Sequence, residues 1–273
     1  GEGSTSSGDI VVRTANAAIA GQSGSLLLAS GSAGGGATGD VAIVTGAAVG
    51  GTSGNVLVSA GQSDTLAGGS ITLSAGSTAA PAGTAGGGVV IQAGQGFQTG
   101  GSVTIATGPG TTTSSGSLSL TTAGSGKGVT GKMMFSTGVA SSGDSGDIHI
   151  GTGKATRGQA GSVDIVVGET RLTGQQGGAI LLQAGHSLGG TSIGGPLSVL
   201  AGDGTHEGGK LILRSGSSST RSTGTVLLAS SEGARSSGDV HIRSANAPGT
   251  GNSGAIFTAT GTAATGDSGE LQL

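Results

Sequence analysis

Few residues of this chain could do chemistry, and their spacing limits what that chemistry can be. Gly126-Lys127-Gly128-Val129-Thr130-Gly131-Lys132-Met133 nearly spells a phosphate-cradling P-loop. That motif needs a serine or threonine after the lysine to hold magnesium, and a helix whose N-terminus faces the phosphates. Met133 stands in the hydroxyl position, and Lys132 opens an extended segment. Asp203, His206 and Glu207 share one connecting stretch and offer oxygen and nitrogen ligands for a divalent ion. So short and polar a stretch reads first as a solvated loop. His149 and His241 occupy equivalent places in Asp-Ile-His-Ile and Asp-Val-His-Ile and read as surface residues. Asp9, Asp40, Asp147 and Asp239 each follow a glycine, yet the calcium-coil phrase Gly-Gly-x-Gly-x-Asp does not recur. With no cysteine there is no thiol nucleophile, thiolate metal site or disulfide framework. We therefore expect no enzyme, no cofactor and no metal site.

Whatever positions these residues must be built from an unusual composition. Glycine supplies 63 of 273 residues, about three times ordinary usage. No Gly-X-Y triplet runs through the chain, and 4 prolines are too few for a collagen. The aromatics are Phe97, Phe135 and Phe257 alone. A net charge of −3 with 9% charged residues gives no electrostatic footprint for nucleic acid or an anionic membrane. No apolar run reaches the length of a membrane span. No Asn-x-Ser/Thr sequon occurs, while the Thr111-Thr112-Thr113-Ser114-Ser115 run offers hydroxyls for O-glycosylation. Disorder would suit the glycine and serine, but the 33% hydrophobic content is gathered into evenly spaced alternating runs.

Those runs are one phrase repeated eighteen times: glycine, any residue, aliphatic, any residue, aliphatic. The anchors are Gly8, Gly24, Gly39, Gly54, Gly69, Gly87, Gly101, Gly116, Gly131, Gly146, Gly161, Gly178, Gly195, Gly209, Gly224, Gly238, Gly254 and Gly269. In Gly69-Ser70-Ile71-Thr72-Leu73-Ser74-Ala75-Gly76, Ile71 and Leu73 share one side and Ser70, Thr72 and Ser74 the other, the period of a strand. Every copy has aliphatic or phenylalanine residues at both places, from Ile10/Val12 to Leu271/Leu273, except that Thr258 replaces one. The residue before each anchor is Ser, Thr, Gly or Ala. Small residue followed by glycine suits a corner that needs unusual φ or close backbone approach. Pro81, Pro109 and Pro248 fall in connectors, and Pro196 at the first place after an anchor. No segment has a helical period.

A phrase this short cannot bury its own apolar side, so copies are expected to stack. The expectation is an all-β parallel solenoid (a β-helix) of about 15-residue strand-loop repeats, continuous over 1–273. Irregular steps, 18 residues from Gly69 to Gly87 and 14 from Gly195 to Gly209, favour two strands, about 30 residues, per turn. Connectors of about eight residues speak against an antiparallel meander. The middle position is also apolar in Val11, Leu27, Leu57, Val90, Met134, Leu181, Ile212, Leu227 and Phe257, which suggests lateral contacts between rods. Starting mid-repeat and stopping at Leu273 without polar caps suggests a piece of a longer chain or end-to-end stacking.

The phrase Gly-x-Val-x-Ile-x-Thr-Gly resembles the glycine-rich β-solenoid shafts of extracellular fibres, phage tail fibres and adhesins. That resemblance implies a structural rod at a cell or virion surface, acting through self-association. An ice-binding solenoid would need an unbroken outward threonine ladder. Thr72 and Thr104 would fit it, but Ser119, His149, Asp164 and His241 interrupt. A glycan- or receptor-binding fibre segment would want aromatic platforms, and the chain has no Trp or Tyr. A pectin-lyase-type β-helix enzyme would need an acidic or basic cluster recurring on one face.

Overall fold

Each copy of the phrase forms an extended octet that runs from its anchor to an exit residue seven positions later, usually glycine. Connectors of varied length join one octet to the next. These features come from a computed structural model that describes residues 7–18, 21–79 and 85–272. The chain divides into two units, Gly1–Ser136 and Thr137–Leu273, with octets of the same kind in both.

Most octets with three apolar residues in a row keep the alternation that their sequence dictates. In Val56-Leu57-Val58 the exposures are 54%, 86% and 65%, so the flanking pair is shielded more than the middle residue. Extended backbone puts successive side chains on opposite sides whether or not a neighbour is present. The first octet differs, with Ile10 at 92% and Val11 at 75%.

Burial does not follow. Among the described residues there is no helix, no strand and no buried side chain, apolar or polar. Ile71 and Leu73, expected to line the coil, are more than half exposed. The expected parallel β-solenoid, with about 30 residues per turn, is thus overturned, and the β-helix with it. Two members of the expected lining, or of its connectors, lie outside the described residues: Leu273 and Pro81.

Two quantities give the physical reason. Ordering a residue costs about 1 kcal/mol or more, and glycine costs the most. Each repeat of about 15 residues has two or three aliphatics to bury, at about 1.5–3 kcal/mol apiece. On these two terms, burial within one chain offsets only part of the entropy it would lose. The surface agrees. A globular chain of 25.1 kDa would expose about 10,000 Å², and the same chain fully extended about 36,000 Å². This chain exposes 27337 Å².

The few backbone hydrogen bonds are local. Nine join backbone groups among the described residues, where a folded chain has about one per residue. Seven of the nine run from an anchor N–H to the exit glycine carbonyl of the preceding octet, and two lie inside connectors. They close the mouths of connectors and leave the octet interiors unpaired.

Candidate functional site

The residues with chemical potential do not converge. In the P-loop-like stretch, the Gly128 N–H donates to Ser125 Oγ at 2.9 Å, and the chain then continues into an extended octet. Among the described residues no helix N-terminus faces this loop to hold a phosphate. Asp203, His206 and Glu207 ride on the connector closed by Gly209 N–H to Gly202 O at 2.9 Å. Among the described residues no group of three or more His, Asp or Glu side chains is placed to hold a metal ion. His241 Nε2 lies 3.6 Å from Asp239 Oδ2, two places earlier in the same octet. His149 folds over its own octet, its Nε2 3.1 Å from where a Cβ on Gly151 would sit. Asp9, Asp40 and Asp147 are exposed in their separate octets. Glu169 accepts from Arg171 Nε at 2.8 Å and from its Nη2, both side chains being exposed. Thr72, Thr104 and the Thr111–Ser115 run are likewise exposed. Among the described residues no helix is long and apolar enough to cross a membrane.

What recurs is the corner where one octet ends and the next begins. It exists in two forms. In the closed form the anchor N–H reaches the previous exit carbonyl, at Gly69, Gly87, Gly101, Gly116, Gly195, Gly209 and Gly224, over 2.9–3.1 Å. Five of these have alanine just before the exit glycine: Ala60, Ala75, Ala93, Ala184 and Ala201. The same five have glycine just before the anchor: Gly68, Gly86, Gly100, Gly194 and Gly208. Here a Cβ on the anchor would sit 3.2–3.5 Å from the exit glycine nitrogen, a tight approach at Gly87, Gly101 and Gly209 and an ordinary contact at Gly195. In the Thr107 and Ser215 corners, also closed, that separation relaxes to 3.9 and 3.7 Å.

In the open form a threonine usually precedes the exit residue. Thr14, Thr45, Thr122, Thr137 and Thr152 put their Cγ2 methyls 3.5–3.7 Å from a Cβ on Gly24, Gly54, Gly131, Gly146 and Gly161. Beyond the threonine, nothing apart from chain neighbours comes within 4 Å there, and no closing bond forms. The branched side chain fills the space that exit backbone occupies in the alanine corners. Val167 acts alike at Gly178, its Cγ1 2.7 Å from the Cβ position.

Sequence reasoning saw the small-Gly corner but not its two forms. The signal was present: alanine before the exit glycine coincides every time with Gly-Gly at the next anchor. None of the anchors is among the four glycines with positive φ, Gly50, Gly143, Gly174 and Gly266, which lie in connectors. Close approach, rather than unusual φ, is therefore what favours glycine at the Gly69, Gly87, Gly101 and Gly209 corners. The shallow recesses of the surface also sit at corners, one lined by Arg13, Thr14, Ala15 and Asn16 and another by Arg214, Ser215, Gly216, Ser217 and Thr223. Neither gathers an acid, a base and a nucleophile.

No protein family, curated protein or solved structure matches this chain.

Proposed function

We propose that this protein is a structural subunit of an extracellular filament or fibre, and that its activity is association with copies of itself. One observation carries the reading: every described aliphatic of the repeat is exposed, on a chain whose surface is between two and three times that of a globular protein of its mass. Exposed apolar area on this scale is a drive to associate. Low charge adds to it, because 25 charged side chains spread over 273 residues put up little repulsion between copies. The aliphatics also recur at a near-constant interval, so two copies can match at many points at once.

Sedimentation of the purified chain over a range of concentrations tests this, with electron microscopy of the same samples. The expected result is mass that grows with concentration and regular filaments on the grid. A chain that remains a single particle at every concentration would refute it.

A further inference from the structure

We propose that copies of this chain join through backbone pairing of the octets that have a closed corner at one or both ends, octet on octet, in two blocks spanning 54–123 and 178–231. The proposal rests on the self-association reading above and names the surface that performs it.

Three observations lead there. The first is the unpaired backbone. Octet interiors carry extended N–H and C=O groups with no backbone partner among the described residues. Extended edges of this kind are templates for strand addition by another chain. The second is preorganisation. Closed corners follow one another at Gly69, Gly87, Gly101 and Gly116, and again at Gly195, Gly209 and Gly224, so each unit holds one block of tethered octets. Tethered octets lose less entropy on pairing than free ones.

The third is charge, and it is independent of the other two. The nine octets of the two blocks contain no charged or histidine residue apart from Lys210 and Arg214. The octets with open corners at both ends contain Asp40, Lys132, Asp147, His149, Asp164, Asp239, His241 and Arg243. Only Gly24–Gly31 and Gly254–Gly261 among them are free of such residues. Charge on an extended edge is how proteins prevent unwanted pairing, and among the closed-corner octets it is confined to one, at Lys210 and Arg214.

The occupant is a second copy of this chain. A standard interface takes about 800 Å² from each partner. The surface this chain exposes beyond a globular protein of its mass is many times larger, and two identical chains carry the same octet spacing.

Proline scanning of the full chain tests the proposal, because proline removes an N–H while leaving the aliphatic pair in place. Thr72→Pro, Thr104→Pro and Ser198→Pro are combined in one variant, each at the middle of a block octet. His149→Pro, Asp164→Pro and His241→Pro are combined in another, at the same position of open-cornered octets. None of these six amides donates a hydrogen bond within the described chain, so the isolated chain loses none. Hydrogen exchange at Gly69 and Gly101 checks that the corners stay closed.

The block variant should need about a hundredfold more protein to assemble and lose the infrared signature of intermolecular pairing, as expected from three lost hydrogen bonds. The other variant should stay within about twofold of the unsubstituted chain. Equal effects of the two variants, or assembly indifferent to both, would overturn the proposal and leave self-association standing. A wild-type chain that never assembles removes both.

Discussion

Residues 60–116 and 122–178 carry the same phrase at similar spacing, yet they turn their corners differently. In the first stretch alanine at 60, 75 and 93 lets the following anchors at 69, 87 and 101 bond to the exit carbonyls. In the second, threonine at 122, 137 and 152 sets a methyl over the anchors at 131, 146 and 161, and no bond forms. One methyl and one hydroxyl, added at the same place, separate a tethered connector from an untethered one. The middle case is instructive. Thr107 belongs to the first stretch, and its corner closes at 3.0 Å with a looser fit around Gly116. Side-chain size therefore biases the corner without dictating it.

The comparison breaks most severely if the alanines are enlarged together. Ala60→Thr, Ala75→Thr and Ala93→Thr in one chain should open three corners, at about 1 kcal/mol for each bond lost. Hydrogen exchange at the Gly69, Gly87 and Gly101 amides should lose its protection. Retained protection at all three would show that the alanines do not control closure.

A smaller effect is expected from the anchor itself. Gly209→Ala would set a Cβ 3.2 Å from the Gly202 nitrogen and 3.3 Å from its oxygen, and the crowding should cost about 1–2 kcal/mol at that corner. Gly39→Ala meets nothing within 4 Å and should be neutral or slightly stabilising, by up to about 1 kcal/mol. Proton chemical shifts of the amides at 209 and 39 would separate the two. Equal responses would mean that close approach is not what selects glycine.

The reverse exchange sharpens the comparison further. Thr137→Ala with Ser145→Gly gives the Gly146 corner the small residues found at all five alanine corners. Its amide should gain protection of roughly fivefold, the value of one modest hydrogen bond. The smallest effect belongs to the exposed ion pair. Glu169→Ala should shift stability by less than about 0.5 kcal/mol, since such pairs are screened and pay side-chain entropy. A larger change would assign Glu169 a partner other than Arg171.

Much of the local structure was legible in the residues. Val56 and Val58 flanking Leu57 announce an extended segment, because alternation needs only the backbone geometry of that segment. Small-Gly before each octet announces a corner for the same reason. The solenoid could not be read in this way. Pairing Ile71 with an aliphatic a repeat away depends on ordering a whole connector, and that cost appears in no single octet.

By itself, the sequence determined where the chain runs extended, where it turns, and which faces are apolar, since these depend on neighbours a few residues apart. Only the tertiary structure decided that the octets stay unpaired within one chain and that seven corners close. Both depend on a contest between burial, chain entropy and the bulk of one side chain at each corner, and a repeat pattern does not contain the outcome.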